Sequence, residues 1–238
     1  MTGRHDFEAT LPWMREGTGT LLAVVDELTD DDLRAPSRLP GWTRAHVVGH
    51  LARNAEALTR LATWARTGVE SPMYAGRDQR ALEIEQSAGL PADVLRSEVA
   101  GTAVTLDKAL GELTGEQWNA EVRSALGRAI PAAEVPWMRI REVWLHAVDL
   151  DAGVTADDLP AGVVDLLIDD VAAALTAKEG CPSVDLAPTD RARRWHLGPA
   201  GAGTTGAATA ADIAGWLTGR LAGGVAESGG RPPLPRWL

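Results

Sequence analysis

Cysteine is almost absent from this chain, which contains one in 238 residues. A single cysteine excludes an internal disulfide framework and suits a reducing compartment. Apolar runs of membrane-spanning length are also missing, and the charged residues Arg4, His5, Asp6 and Glu8 do not fit a signal peptide. These absences predict a soluble, cytoplasmic protein.

Basic residues are in the minority. The chain has 23 Lys and Arg against 33 Asp and Glu, which gives a formal net charge of −10. Binding to phosphates requires clustered Lys and Arg, so this balance argues against nucleic acid as a partner. Hydrophobic residues make up 45% of the chain, enough for a substantial core, and the length allows one large domain or two modest ones.

Histidine is scarce as well, with five residues in the chain, and one of them belongs to a pair that stands out. Glu142 and His146 are four residues apart, so an α-helix projects both side chains from one face. The apolar residues around them in Val135–Leu150 predict that this helix is buried. A buried carboxylate and imidazole need solvent, each other or a metal ion. By itself, such a pair is most often solvated or hydrogen-bonded.

A metal site would need a further ligand, because protein zinc sites generally use three or four. His5 lies near the N-terminus and His196 in a region of different composition. His46 and His50 lie on a helix predicted over residues 43–67. His50 is nearer the middle of that helix and is the better third ligand, whereas His46 in the first turn fits a capping or supporting role.

Several sequence motifs resemble one known family, and the likeness spans nearly the whole chain. The two longest are Gly41-Trp-Thr-Arg-Ala-His46 followed by His50-Leu-Ala-Arg-Asn-Ala55, and Trp137-Met-Arg139 followed by Arg141-Glu-Val-Trp144 and His146-Ala-Val-Asp149. Shorter ones are Ser71-Pro-Met-Tyr74, Gly219-Arg220 and Pro235-Arg-Trp-Leu238. Together they resemble the mycothiol-dependent maleylpyruvate isomerase family.

The resemblance implies a mostly α protein with two domains. Residues 1–152 are expected to form an N-terminal DinB-like four-helix bundle that holds a divalent metal, and residues 153–238 a smaller C-terminal α/β domain. Hydrophobic periodicity, turn residues and prolines independently predict the bundle elements. They are helices over 6–28, 43–67 and 91–113 and from Pro136 onward, a short helical piece at 79–86, and a long loop over 114–136.

The C-terminal part has weaker patterns. Residues 157–177 predict a fifth helix, and the short segments 183–186 and 193–197 have hairpin-like spacing. Residues 198–209 are almost entirely Gly, Ala and Thr and are left unassigned. A final helix is predicted over 210–221, ending in Gly223-Gly224.

The resemblance also implies roles for individual residues. It makes His50, Glu142 and His146 the ligands of zinc or another divalent metal. It suggests that Arg220 binds a substrate carboxylate, although the residue alone would be interpreted as a cation at a helix C-terminus. Weaker candidates for lining the substrate or thiol pocket are Arg80, Arg53 and Asn54. Cys181 is expected to be structural, and Trp144 either belongs to the core or walls the site.

The activity implied by the resemblance is cis–trans isomerisation of maleylpyruvate to fumarylpyruvate with mycothiol. A thiol bound to zinc is deprotonated, and the thiolate would add to the double bond, allow it to rotate and then be expelled. The expected partners are mycothiol and a small dicarboxylate keto acid, and we expect a monomer. Two alternatives remain: a mycothiol S-transferase, which would consume the thiol, and a non-enzymatic metal-binding module, against which Gly219-Arg220 argues.

Overall fold

The computed structural model describes residues 3–201, 204–206, 208–220 and 232–237. The chain divides into two compact units, Met1–Gly153 and Val154–Leu238. We propose that they correspond to the two domains expected from the sequence. Among the described residues, no helix is long and apolar enough to cross a membrane.

The first unit is organised around four long helices. Its helices within the described residues are α1 (Phe7–Glu27), α2 (Asp30–Arg34), α3 (Arg44–Thr67), α4 (Arg77–Ala88), α5 (Ala92–Gly111) and α6 (Val135–Asp149). Helix α3 packs against α5 and α6, and α1 packs against the same two helices, which closes a four-helix bundle. The predicted bundle is confirmed, and the short helical piece predicted at 79–86 is the centre of α4.

Helix α3 has local signals at both ends. The Thr43 hydroxyl accepts a hydrogen bond from the His46 backbone N–H, and the Thr43 backbone N–H donates to His46 Nδ1 at 3.2 Å. At the other end Gly68 adopts a left-handed conformation with φ 72°, and its N–H donates to the Trp64 carbonyl. These two caps explain the length of the helix. The capping role predicted for His46 is confirmed.

Helices α1 and α6 approach closely where α1 has no side chain. A Cβ atom added at Gly17 would lie 2.5 Å from Trp144 Nε1 and 2.8 Å from Val143 Cγ2. Contacts this short do not occur between real side chains, so glycine is required at this position for the two helices to pack. Trp144 therefore belongs to the α1–α6 interface.

Residues 114–136, predicted to form a long loop, contain a β-hairpin. Strands β1 (Glu121–Arg123) and β2 (Ala129–Pro131) pair antiparallel, with Val122 opposite Ile130. Both of these side chains are buried. The loop prediction was wrong because strands of three residues are too short to show a clear alternating pattern.

The second unit combines two helices with a three-stranded sheet. Its elements are α7 (Ala161–Thr176), β3 (Val184–Leu186), β4 (Trp195–Leu197), β5 (Thr204–Gly206) and α8 (Ala210–Thr218). Strand β3 is central, antiparallel to β4 and parallel to β5. The predicted α/β character and the hairpin are confirmed, and β5 occupies the segment left unassigned.

The last helix ends earlier than predicted. Helix α8 stops at Thr218, because Gly219 adopts a left-handed conformation with φ 74° and its N–H returns to carbonyls of the last turn. The predicted end at Gly223-Gly224 lies outside the described residues. Cys181, expected to be structural, is buried.

Candidate metal centre

Two adjacent bundle helices bring three candidate ligands together. Helix α3 carries His50, and α6 carries Glu142 and His146 one turn apart. The Oε2 atom of Glu142 lies 2.8 Å from His50 Nε2 and 3.3 Å from His146 Nε2. The ligand atoms of all three residues lie within 4.8 Å of one another. The three side chains predicted to form a site therefore converge.

The chemistry and burial of these side chains fit a divalent metal ion. The donors are two imidazole nitrogens and one carboxylate oxygen, the ligand types that zinc and similar ions take in proteins. His50 is 4% exposed and His146 13%, whereas Glu142 is 31% exposed. Three protein ligands with one accessible side leave a coordination position for another molecule, as catalytic metal sites do.

Asp149 orients one of the two imidazoles. Its Oδ2 atom lies 2.8 Å from His146 Nδ1, and the residue is 1% exposed. Burial acts to lower the pKa of His146, but its hydrogen bonds to Asp149 and Glu142 outweigh burial and raise it. Histidine ligands commonly donate their second ring N–H to a carboxylate in this way. The contact turns Nε2 toward Glu142.

The charge states of the other two candidate ligands suit metal binding. Burial lowers the pKa of His50, and the attraction of Glu142 only partly offsets this. Burial acts to raise the pKa of Glu142, but His50 and His146 hold it well below its usual range. At neutral pH Glu142 is a carboxylate and His50 a neutral imidazole, which are the forms that bind metals.

Two further side chains contact His50, and a third lies beside one of them. The Trp42 ring centroid lies 5.7 Å from that of His50, and Arg80 Nη2 lies 3.3 Å from His50 Nδ1. The Arg80 guanidinium stacks over the Tyr74 ring at 5.7 Å from its centroid. Burial raises the pKa of Tyr74, so its hydroxyl keeps its proton at neutral pH.

Comparison with known proteins places this geometry in a family. The sequence model of the mycothiol maleylpyruvate isomerase N-terminal domain matches residues 14–151. A crystal structure of the mycothiol-dependent maleylpyruvate isomerase matches with a TM-score of 0.92 and 34% identity, covering 100% of both chains. The chain belongs to the mycothiol maleylpyruvate isomerase family. A histidine-to-alanine mutant of that enzyme matches with the same TM-score, identity and coverage.

A more distant protein shares the bundle alone. YfiT from Bacillus subtilis, which has an unusual four-helix bundle topology, matches with a TM-score of 0.53 at 19% identity. The match covers 63% of this chain and 87% of YfiT. A search among curated proteins gave no significant match. The family resemblance found in the sequence is confirmed by the two closer comparisons.

Two of the residues predicted to line the pocket of this family member are held by protein contacts. Arg53 forms ion pairs with Glu98 at 2.5 Å and with Glu56 at 3.2 Å. Asn54 is 4% exposed, and its Oδ1 atom accepts a hydrogen bond from Arg139 at 2.8 Å. The contacts indicate supporting roles for both, and pocket-lining roles remain predictions.

The remaining predicted residues differ in position. Arg80 lies beside His50, as described above. Arg220 belongs to the second unit, where its Nη1 donates to the Thr218 carbonyl at 3.0 Å, so its role with substrate remains a prediction. Trp144 donates from Nε1 to the Trp13 carbonyl on α1 at 3.4 Å. It is two residues from each ligand of α6, which turns it to the opposite side of that helix.

Sequence reasoning assigned no site role to several residues that the structure places beside the ligands. Trp42 had a usable signal, because it immediately precedes the N-cap Thr43 of the helix that carries His50. Asp149 is three residues from His146, a spacing that lets side chains meet on a helix. Tyr74 and Arg139 belong to motifs that carried the resemblance, but no local pattern points them at the ligands.

Proposed function

We propose that this protein is a mycothiol-dependent isomerase that converts maleylpyruvate into fumarylpyruvate. The observation that supports this most is the match over the full length of both chains to an enzyme of that name, at 34% identity and a TM-score of 0.92. The convergence of His50, Glu142 and His146 in the matching bundle adds a site with suitable chemistry.

We propose that His50, Glu142 and His146 hold zinc or another divalent ion. When bound, such an ion lowers the pKa of a coordinated thiol and polarises a carbonyl oxygen. The chain's own thiol is poorly suited to nucleophilic chemistry, because Cys181 is buried and burial raises its pKa. A small external thiol is therefore the expected nucleophile. We propose that this thiol is mycothiol, whose thiolate would add reversibly to the double bond of the substrate.

The proposed substrate is a dicarboxylate, which calls for positively charged side chains. We propose that Arg220 binds one carboxylate, because a guanidinium fork matches a carboxylate with two parallel hydrogen bonds. Arg80 lies 3.3 Å from His50 and supplies positive charge beside the ligands. The neutral Tyr74 hydroxyl, close to Arg80, is a hydrogen-bond donor on the same side of His50.

We further propose a cytoplasmic monomer that binds neither nucleic acid nor membranes. Its net charge of −10 supports the absence of nucleic acid as a partner. The single cysteine supports a reducing compartment. Size-exclusion chromatography with light scattering would test the monomer.

The function is tested by the decay of maleylpyruvate absorbance with purified protein, with and without mycothiol. We expect turnover that requires mycothiol in catalytic amount and leaves its concentration unchanged. His50→Ala should abolish turnover and lose bound metal, measured by elemental analysis. The matched control is His196→Ala. His196 forms a hydrogen bond with Asp185 in the second unit, so its replacement should leave turnover and metal content intact.

The same assay separates the alternatives. Loss of one thiol per substrate would identify an S-transferase, which joins mycothiol to an electrophile. Bound metal without any reaction in the presence of both reactants would contradict the isomerase and favour a metal-binding module. A His50→Ala variant that keeps full metal content would contradict the ligand assignment.

A further inference from the structure

Arg139 is a buried cation that the proposed reaction does not use. It is 1% exposed and among the largest fully buried side chains of the described residues. Its Nη1 atom donates to the Leu51 carbonyl and to Asn54 Oδ1, both at 2.8 Å. Its Nε and Nη2 atoms are also buried, and neither has a hydrogen-bonding partner among the protein groups that the structure describes.

Two hydrogen bonds to α3 are the contribution to the fold that the described residues show for this arginine. None of the ion pairs found among the described residues includes Arg139. Burial lowers its pKa to about 10, so the guanidinium is still charged at neutral pH. Glu142 attracts the guanidinium from a distance, but desolvation by burial is the larger effect. Well-packed apolar residues in place of buried charges are often neutral or stabilising. The residue therefore calls for an explanation at the level of function.

Its position links it to the candidate metal centre. Arg139 precedes Glu142 by three residues on α6, so the two lie one above the other on the same helix face. The groups it contacts on α3 are equally close to the site: Leu51 follows His50, and Asn54 lies one helical turn beyond it. Arg139 therefore lies in the layer of the bundle next to the ligands.

The charges around the ligands suggest what Arg139 does. Glu142 and Asp149 are carboxylates, and Arg80 and Arg139 are guanidiniums, so these four protein charges cancel. These residues then do not neutralise the two positive charges of a bound divalent ion, which can attract an anionic molecule to the site. Without Arg139, one of the carboxylates would offset half of that charge, and the site would attract anions less strongly.

We propose that Arg139 is an electrostatic positioning residue whose buried charge makes the metal centre selective for anionic ligands, dianions above all. The proposal rests on the proposed function, because it assumes that a divalent ion binds the triad. It deepens that function by assigning the preference of the site for anionic ligands to one buried residue. The charge acts through space, since the guanidinium nitrogens are buried and do not line an open surface.

Anion binding tests the proposal without enzymatic turnover. Cobalt-loaded protein would be titrated at pH 7.5 with maleate as a dianion, formate as a monoanion and imidazole as a neutral ligand, and followed by its visible spectrum. In Arg139→Met we expect the Kd for maleate to rise on the order of tenfold, because one positive charge that attracts the two carboxylates of maleate is lost. The Kd for formate should rise less, and that for imidazole should stay unchanged.

A second variant and a control separate charge from packing. Arg139→Lys keeps the charge, so it should bind maleate nearly as well as the unmodified protein. Arg96→Met is the control. Arg96 is an arginine of α5 that donates to the Leu28 carbonyl at 2.7 Å and pairs with Asp30 at 3.0 Å, so its replacement should change none of the three constants. Cobalt affinity, measured against a chromogenic chelator, should stay equal or become tighter in Arg139→Met, since a nearby positive charge is removed.

Two results would overturn the proposal. One is an equal loss of maleate and imidazole affinity, or weaker cobalt binding, in Arg139→Met, because both indicate a general disturbance of the site. The other is a loss of maleate affinity in Arg139→Lys as large as in Arg139→Met, because the shape of the guanidinium rather than its charge would then matter. If the unmodified protein bound no cobalt, the proposed function itself would fail, a result distinct from both.

Discussion

Asp149 is the residue whose replacement tests the candidate metal centre most directly. Its Oδ2 atom lies 2.8 Å from His146 Nδ1, and it is 1% exposed, so solvent does not screen the contact. In Asp149→Asn the side chain keeps its size and loses its charge, which makes the imidazole less basic and its orientation less defined. Replacing such a partner weakens metal binding by roughly 10–100-fold, equivalent to about 1.4–2.7 kcal/mol.

The assay is competition for zinc with a chromogenic chelator, combined with thermal unfolding at a fixed excess of zinc. A ligand that binds only the folded state stabilises it by RT ln(1 + [L]/Kd). A Kd weaker by about 30-fold would therefore remove about 2 kcal/mol, or roughly 4–8 °C, from the rise in Tm caused by zinc. Without zinc, the variant should also lose about 1–3 kcal/mol through the weakened contact with His146, so the quantity compared is the rise in Tm that zinc causes in each protein.

The control for this experiment lies two residues away. Asp151→Asn changes a side chain that is 54% exposed and paired with Arg38. Asp151 has φ 52°, a conformation that asparagine tolerates, so zinc affinity and Tm should both be retained. If Asp149→Asn bound zinc as tightly as the unmodified protein, with an unchanged rise in Tm, the orientation of His146 by Asp149 would be refuted.

Three further predictions concern the bundle that holds the site, and urea unfolding checks each. Gly17→Ala should cost about 1–3 kcal/mol, because the added methyl would overlap α6, whereas Gly19→Ala, with open space around it, should be neutral or stabilising. Thr43→Ala should cost about 1 kcal/mol through loss of the α3 N-cap, and Thr43→Ser should restore it. Burial acts to raise the pKa of Glu134, but Arg128 and other contacts outweigh it and lower the pKa. Glu134→Gln should therefore cost about 1–3 kcal/mol at pH 7. That deficit should shrink below about pH 4.3 and vanish as the pH falls through the lowered pKa of the folded protein. Equal effects for the two glycines, no rescue by serine, or a pH-independent deficit would contradict the respective argument.

The long helices could be predicted because their signals are local. Apolar residues recur with the helical period, and the limits are set by neighbours in the chain, such as Thr43 before α3 and Gly68 after it. The predicted range 43–67 matches α3 for this reason. Helix α8 was predicted too long because Gly219, two residues before the predicted end at residue 221, already terminates it.

The short strands are defined by their pairing with other segments, so the sequence predicted them less well than the helices. Strands β1 and β2 have three residues each, and only their mutual register and the burial of Val122 and Ile130 mark them as a hairpin. Strand β5, Thr204–Gly206, has a bland composition and pairs in parallel with β3, about 20 residues earlier in the chain. Such pairing leaves no periodic trace within the strand itself.

The candidate ligands divide in the same way. Glu142 and His146 could be paired from the sequence alone, since a spacing of four residues fixes their proximity on any helix. The third candidate ligand was a choice between His46 and His50. His46 contacts the N-cap residue Thr43 through its Nδ1 atom, which explains why it caps α3 instead of joining the candidate site. The packing of α3 against α6 then brings His50 to 2.8 Å from Glu142.

Local sequence thus determined the long helices, the family and the two candidate ligands that share a helix, because helical periodicity and capping act over a few residues. The surroundings of the ligands were decided only by tertiary structure. Arg139, Tyr74 and Arg80 come from separate segments, and their contacts depend on which helices are neighbours and at what distance they pack. A buried guanidinium has no recognisable sequence pattern, since burial is a property of the folded chain as a whole.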